Sequence, residues 1–569
     1  MPFLRTHPDI ARHDAPRPVV WSIAGSDSGA GAGLQADLRA FDTFDLHGCT
    51  AVAAITAQNS MGVMRVEPVA ADLLDAQLAA LASDFAPRAI KTGLLGTPEN
   101  VRCVARWVDR LRAESPVALV IDPVWRASTG ADLAGEALRH ALVQELLPRA
   151  SVITPNRAEA AWLLGWEAKS LASADAVEHA AAALRALGAQ AMVITGGDSG
   201  GPRSLDWIDT LDARGWLSLP RVETAHHHGS GCVFAASMAA AFALDFCAAD
   251  AAVIAKMSTT EALRAALPAG RGAGPVRPQR GFGLHAELLP SLHASAHATT
   301  HATTHATDHT PTAAFADLTD RRMGLYAVVD SADWVERVLA AGVRTVQLRI
   351  KSEAPEHGRH ERLSAEVLRS VTAANRAGAQ LFINDHWQLA IAHRAYGVHL
   401  GQEDLLTADM SALRQAGLRV GLSTHSYWEV CRAHAWAPSY IACGPIYATT
   451  TKVMPWRPQG LGNLAYWCRV LREPVVAIAG MNEARSSEAM QCGADGVAVL
   501  RGIVQAADPE LAVRGLQAAI AIGESMRNSN LARWPDLPRS TFRSDAGATQ
   551  TGTHDRNNNS AQRAGPSLR

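Results

Sequence analysis

Two sets of residues in this 569-residue chain have the types and spacing that handle phosphate. In the first half, the turn Gly25-Ser26-Asp27-Ser28-Gly29-Ala30-Gly31-Ala32-Gly33 follows an apolar run and leads into Leu34-Gln35-Ala36-Asp37. Glycines there let the backbone approach a ligand closely. Thr154-Pro155-Asn156-Arg157-Ala158-Glu159 then sets Asn156 and Glu159 three apart, hard oxygen donors able to hold a hydrated Mg2+ beside nucleotide phosphates. Further on, His228-Gly229-Ser230-Gly231-Cys232 precedes the apolar stretch VFAASMAAAFAL. Backbone amides around Gly229 and Gly231, at a helix N-terminus, make an anion hole suited to a transferring phosphoryl group.

The second half carries a different set. Gln347-Leu348-Arg349-Ile350-Lys351 puts an amide and two cations on alternate positions of an expected strand, all facing one side. Two inward cations are costly without an anion to meet them. Asn384-Asp385 and Gly401-Gln402-Glu403-Asp404 close two further strands with carboxylates, and carboxylates near Arg and Lys suggest a Mg2+-diphosphate clamp. Thr449-Thr450-Thr451-Lys452 and Gly480 offer hydroxyls, a cation and an accessible amide, which suit a separate phosphate monoester.

The elements that must position these groups are legible as rhythm. VVWSIAG, TAVAAITA, VALVIDPV, SVITPN and AMVITGG alternate with Ala/Leu-rich helical stretches, the pattern of a parallel sheet flanked by helices. From residue 323 the rhythm restarts with GLYAVVD, TVQLRIK, AQLFIND, GVHLG, RVGLSTH, YIACGPI, PVVAIAG and DGVAVL, eight strands as a (β/α)8 barrel requires. In such a barrel the working groups sit where strands run into their following loops.

Composition narrows the class. Hydrophobic residues make up 48% and charged residues 19%, so there is material for more than one core and no case for whole-chain disorder. Lys+Arg 53 against Asp+Glu 55 leaves a net charge of −2, which gives no footprint for nucleic acid or an anionic membrane. The eight cysteines lack zinc spacing, and neither a signal segment nor a long apolar run appears, so a cytoplasmic protein with reduced thiols is expected.

The order AGSD, GAGLQADL, AQNS, KTGLL, IDPV, ITPNRAEA and HGSGC over about residues 18–285 resembles the ribokinase-like hydroxymethylpyrimidine/phosphomethylpyrimidine kinases. The resemblance implies a three-layer α/β fold and two phosphorylations of 4-amino-5-hydroxymethyl-2-methylpyrimidine with ATP as co-substrate and Mg2+. It implies that Gln58 reads the aminopyrimidine, that Gly25, Asp37 and Val124 line the same pocket, and that Cys232 is the catalytic base. The helix N-terminus is expected to lower that thiol from its free value of roughly 8.5 toward neutrality. In two places the chain departs from the family: Thr195-Gly196-Gly197-Asp198 stands where Lys-Gly-Gly-His is usual, removing a cationic phosphate contact, and His226-His227 replaces Asn-Thr.

QLRIK, INDH, GQED, GLSTHS, GPIYATTTK, PQG, AIAGM and DGVAVL over about 323–510 resemble thiamine-phosphate synthase, a TIM-barrel family that joins the pyrimidine diphosphate to 4-methyl-5-(2-phosphooxyethyl)thiazole. The resemblance implies that Gln347, Arg349, Lys351 and Asn384 hold the pyrimidine diphosphate, with Ser423 touching it and Asp385 and Asp404 as metal ligands. It assigns the thiazole phosphate to Thr449, Thr451, Gly480 and the backbone at Leu500-Arg501, and the departing diphosphate to Lys452. The partners implied are small molecules, with a homodimer as a candidate assembly.

The domains expected are 18–288 and 321–528, joined by a His/Thr/Ala-rich linker at 289–320 and followed by a disordered tail at 529–569. In the linker His293, His297, His301, His305 and His309 recur every fourth residue, which as a helix would align five imidazoles for a soft divalent metal; a plain polar tether is the other reading. Competing readings are a pyridoxal or sugar kinase, which would carry Asp at position 232, a non-synthase relative on the same barrel, and an active synthase whose kinase domain is impaired or serves as a precursor sensor.

Overall fold

The computed structural model describes residues 16–125, 135–296, 314–351, 359–449, 456–527 and 535–542. The first domain is a ten-stranded sheet of β1 (Val19–Asp27), β2 (His47–Asn59), β3 (Gly62–Pro68), β4 (Ala89–Thr92), β5 (Ala118–Ile121), β6 (Val152–Ile153), β7 (Met192–Ile194), β8 (Arg203–Asp209), β9 (Arg214–Pro220) and β10 (Ser291–His293). Their order is β10-β9-β8-β7-β6-β5-β4-β1-β2-β3. From β2 to β7 through β1 and β4 the pairing is parallel, while β3 and β8–β10 run antiparallel at the two edges. Because β1 is followed by β2 on one side and β4 on the other, the chain reverses its winding between β1 and β4, and a crevice opens there at the carboxyl ends of the strands. The helix Ser230–Ala243, apolar nearly all round, is buried along most of its length, as such a pattern requires.

The second domain is a closed parallel barrel of β11 (Gly324–Val329), β12 (Thr345–Leu348), β13 (Gln380–Asn384), β14 (Gly397–Leu400), β15 (Arg419–Thr424), β16 (Tyr440–Cys443), β17 (Val475–Ile478) and β18 (Gly496–Val499). Closure is made by β18 pairing back onto β11, Gly324 opposite Gly496. Tyr326, Val328, Phe382, Tyr440, Ala442, Val476 and Ala498 fill the interior, so the barrel is packed and its ligand space lies at the mouth.

Three expectations need correction. His293, first of the periodic histidines, belongs to β10, opposite Trp216 of β9, because Leu292 beside it is buried and the strand completes a sheet edge; His297, His301, His305 and His309 lie outside the described residues. Arg349 and Lys351 stand just beyond the end of β12 rather than on it. The segment 535–542 was expected to be part of a disordered tail; instead it is folded against both domains. Arg539 N donates to Asn463 Oδ1 at 2.9 Å, Thr541 Oγ1 to the His425 carbonyl at 2.8 Å, and Ser540 Oγ to the Asp245 carbonyl at 2.6 Å. Leu537 and Phe542 pack against the core beside these polar contacts, Phe542 with its ring 6.4 Å from that of Trp456; two hydrophobes in a polar stretch were too weak a signal to read as order.

The two domains also meet directly. Tyr466 Oη donates to the Gly283 carbonyl at 2.6 Å, and the rings of Phe246 and Tyr427 pack edge-on at 6.1 Å. Asp250, in the helix Ala248–Arg264, accepts from the Trp428 amide at 2.9 Å and so caps the helix Tyr427–His434 of the barrel. Burial pushes the Asp250 carboxyl up to about 7, with Glu429 and Asp212 adding to the rise and the Trp428 amide opposing it. A carboxyl raised on folding contributes stability that is complete below its unfolded pKa, near 4, and is lost as pH rises through the folded value. The melting temperature is therefore expected to fall from pH 5 to pH 8, by the equivalent of roughly 1–3 kcal/mol, and Asp250→Asn, which keeps an acceptor for Trp428, to flatten that fall. Melting curves of both proteins check it, and an undiminished fall in the variant would place the response elsewhere.

Candidate active sites

At the β1/β4 crevice lies a cavity of about 510 Å³, lined by Gly25, Gln58, Val124, Asn156, Glu159, Gly229, Gly231 and Cys232 among others. The glycine-rich turn is organised from within: the Asp27 carboxylate accepts from the amides of Gly29 at 2.8 Å and of Gly31 and Ala32 at 2.9 Å, and lies 3.2 Å from His228 Nε2. Burial alone would raise its pKa, but the His228 contact and the three amides hold it below the usual carboxylate range. The turn and the HGSGC loop touch so closely that a Cβ on Gly229, at φ 84°, would sit 2.1 Å from the Gly31 carbonyl oxygen. Only glycine fits there.

Asn156 and Glu159 have a local task in addition to lining the cavity. They form a reciprocal capping box: Asn156 Oδ1 accepts from the Glu159 amide at 2.9 Å, and Glu159 Oε2 from the Asn156 amide at 2.8 Å. Asp37 does not line the cavity as expected. It is fully buried beneath it, 3.1 Å from Lys91 Nζ, with Ser22 Oγ donating to it at 2.5 Å. Lys91, itself fully buried, also lies 3.2 Å from Asp122. Burial disfavours the ammonium, yet Asp37 and Asp122 more than offset this and hold Lys91 charged.

The same charges correct the expectation for Cys232. Burial pushes its thiol up to about 12, Asp122 and Asp37 add to the rise, and Lys91 and the Gly33 amide do not cancel it. The helix N-terminus is outweighed because a thiolate here would face two carboxylates.

Reading the sequence assigned no role to Lys91 or Asp122, although both stand in the motifs quoted above, and it missed Lys256. That lysine lines the cavity alongside Thr195, Gly197 and Ser204, on the side where the departure at Thr195 had removed a cation. Its Nζ is 2.7 Å from Asp206, a pair almost fully buried. A lysine in a helix of alanines reads as solvated surface, so only the fold reveals it.

The second cavity, about 960 Å³ at the barrel mouth, gathers Gln347, Arg349, Lys351, Asn384, Asp385, Asp404, Ser423, Thr449, Gly480, Leu500 and Arg501. Thr451 and Lys452 lie outside the described residues. Asp385 takes φ 63°, a conformation Asp tolerates better than most, and its carboxyl is raised by burial first and then by Asp404. Asp404 Oδ2 accepts from the Gly401 amide at 2.8 Å. Two carboxylates thus confront each other beside Arg349. His425 Nδ1 also lies 2.7 Å from Glu429 and both line this cavity, a pair the sequence analysis did not single out; their i, i+4 spacing across the strand–helix junction was the available signal.

The model of one family, phosphomethylpyrimidine kinase, matches residues 27–277, and that of another, thiamine monophosphate synthase, matches residues 319–503. Thiamine-phosphate synthases of Salmonella choleraesuis and Escherichia coli O1:K1 are 49% and 50% identical over 204 residues, which span 36% of this chain and 94% of each relative. Among solved structures, a pyridoxal kinase from Staphylococcus aureus in complex with ADP is 31% identical, covers 46% of this chain and 93% of its own, and has a TM-score of 0.43. A phosphomethylpyrimidine kinase from Clostridium difficile is 28% identical, covers 43% and 100%, and has a TM-score of 0.38.

A thiol at about 12 is almost wholly protonated at neutral pH, so a step that uses the thiolate gains tenfold per pH unit. Phosphoryl transfer by the first domain should show kcat/KM climbing with that slope between pH 7 and 9, and Cys232→Ala should remove the slope. A plateau near neutrality in the unsubstituted protein would show the thiol to be depressed instead.

Proposed function

This chain belongs to the thiamine-phosphate synthase family through its second half and carries a phosphomethylpyrimidine kinase domain ahead of it, and from that premise we propose a two-stage synthesis of thiamine phosphate. The first domain phosphorylates hydroxymethylpyrimidine and its monophosphate with ATP. The second condenses the diphosphate with the thiazole phosphate and releases diphosphate. The observation that carries this reading is the convergence of Gln347, Arg349, Asn384, Asp385 and Asp404, from three neighbouring βα units, on one cavity that also holds Thr449, Gly480 and Arg501.

In the first domain, phosphoryl transfer through a loose transition state asks mainly for positioning and charge stabilisation. The amides of the HGSGC loop face the moving phosphoryl group, Gln58 presents an amide to the pyrimidine, and Lys256 supplies positive charge on the nucleotide side in place of the family lysine replaced by Thr195.

In the second domain, Arg349 and Lys351 bind the diphosphate and draw charge off its bridging oxygen as the bond to the pyrimidine methylene lengthens. The aminopyrimidine stabilises the resulting cation, which the thiazole nitrogen captures, so no general base is needed. Thr449, the Gly480 amide and the Leu500-Arg501 backbone hold the thiazole phosphate. The donor set suits Mg2+: Asp385 and Asp404 repel one another until a cation comes between them. Two carboxylates are hard oxygen donors of the kind Mg2+ takes from a protein. Held by Asp385 and Asp404, the ion would offset charge on the leaving diphosphate.

A coupled assay decides the reading: hydroxymethylpyrimidine, Mg-ATP and thiazole phosphate supplied, thiamine phosphate measured. Product is expected from the full chain alone, and its absence when preformed pyrimidine diphosphate is supplied would reject the synthase half. Asp404→Ala should lower synthase kcat/KM by about a hundredfold at limiting Mg2+, with partial recovery at high Mg2+, since one hard ligand of two is lost. Unchanged turnover at limiting metal would refute the ligand assignment.

A further inference from the structure

One wall of the second cavity is formed by His425, Glu429 and Trp456, and the chemistry above uses none of them. His425 directly follows β15, two residues after Ser423, so whatever holds it also holds the strand end that carries Ser423. Glu429, the third residue of the helix Tyr427–His434, is buried and reaches back toward that strand end. Its Oε2 accepts from the His425 amide at 2.6 Å and lies 2.7 Å from His425 Nδ1. The His425 ring lies nearly parallel to that of Trp456, with centroids 6.0 Å apart.

This wall is fastened by residues that do not belong to the barrel. Ser426 stands at the N-cap of the helix, where a hydroxyl ordinarily accepts from the second or third amide, yet its side chain makes no such bond. The Trp428 amide donates instead to Asp250 Oδ1 of the first domain at 2.9 Å, and Phe246 packs edge-on against Tyr427. The cap that fixes the start of the helix, and with it Glu429, is therefore supplied across the domain boundary. The segment 535–542 reaches the same wall by a second route. Thr541 Oγ1 donates to the His425 carbonyl at 2.8 Å, the Arg457 amide donates to the Thr541 carbonyl at 2.7 Å, and the Phe542 ring lies 6.4 Å from that of Trp456. Ser540 anchors that segment to the Asp245 carbonyl at 2.6 Å. Asp245, Phe246 and Asp250 all lie in the short stretch that joins the helix Ser230–Ala243 to the first turn of Ala248–Arg264. A single junction of the first domain thus supports the wall both through the helix cap and through the strap.

We propose that Asp250 and Thr541 are positioning residues of the second cavity: they hold the Ser423–His425 end of β15 and the start of the next helix in the one arrangement that binds the pyrimidine diphosphate. The proposal rests on the synthase reading for the identity of that substrate. Its content is that the barrel of this chain is completed by residues outside it. Without the cap and the pinned carbonyl the segment samples other conformations, and the apparent affinity falls by the fraction of molecules still competent to bind. The thiazole phosphate is affected less, because Thr449, Gly480 and the Leu500-Arg501 backbone come from other βα units.

The test uses the full chain with Asp250→Ala, Asp250→Asn and Thr541→Val, assayed with preformed pyrimidine diphosphate and thiazole phosphate. In Asp250→Ala and in Thr541→Val the KM for the pyrimidine diphosphate should rise about fivefold, while kcat and the KM for the thiazole phosphate stay within about twofold. Asp250→Asn, which keeps the acceptor, should restore the unsubstituted KM. Thr541→Val carries the test where Asp250→Ala does not fold. In 15N-histidine-labelled protein the resonance that disappears in His425→Gln should move in Asp250→Ala and Thr541→Val and return to its place in Asp250→Asn, a readout that needs no substrate. Unchanged pyrimidine KM in both variants, an equal rise for both substrates, an unmoved His425 resonance, or an Asn variant as impaired as the Ala variant would overturn the proposal. A wild-type protein that makes no thiamine phosphate from the two substrates would instead reject the synthase reading, and the histidine spectrum would still decide the positioning.

Discussion

Lys91 lies at the carboxyl-terminal end of β4 with no exposure, its ammonium 3.1 Å from Asp37 and 3.2 Å from Asp122. Taking a cation out of water costs several kcal/mol, and the cost is offset only by well-placed partners. Those partners come from the helix after β1 and from the end of β5, so the charge ties together the elements on both sides of the point where the sheet reverses its winding. The triad lies beneath the crevice and the charges that set the Cys232 thiol are its members. Removing Lys91 leaves two buried carboxylates unmet, whereas removing either Asp leaves the ammonium with a single partner.

The barrel solves the opposite problem. In the first domain opposite charges satisfy one another below the cavity; at the barrel mouth Asp385 and Asp404 face each other with Arg349 alongside, and like charges are left close together where a ligand would enter. One site carries its cation built in, Lys91 held between two carboxylates. The other is held in electrostatic tension that a metal and a diphosphate would relieve.

Much of this could be read from the residues. The strand rhythm located both sheets, and most of the residues named at strand ends line one of the two cavities, because glycine, carboxylate and amide at such positions have few structural uses; Asp37 lies beneath its cavity, and Thr451 and Lys452 lie outside the described residues. Buried partners were the hidden part. Tyr326 in GLYAVV, His399 in GVHL and Tyr440 in YIAC read as core positions of alternating strands, and only the closure of the barrel brings their side chains within hydrogen-bond reach of one another. Cys232 shows a rule applied with too few terms: the helix end was visible from the sequence, but Asp37, nearly two hundred residues earlier, was not recognisable as its neighbour. Lys256 was hidden in the same way by its helix.

Residues 535–542 bridge the two halves, with Ser540 on the first domain and Thr541 and Arg539 on the second. Chain order then has a consequence for assembly. Translation delivers the first domain, then the barrel, and the clasp only after both. Each enzyme can fold around its own core while the ribosome is still at work, and the clasp adds its contacts only after both have emerged. A chain cut short before residue 535 would keep the direct contacts of Tyr466, Tyr427 and Asp250 across the domain boundary but lose the strap that touches both sides of it.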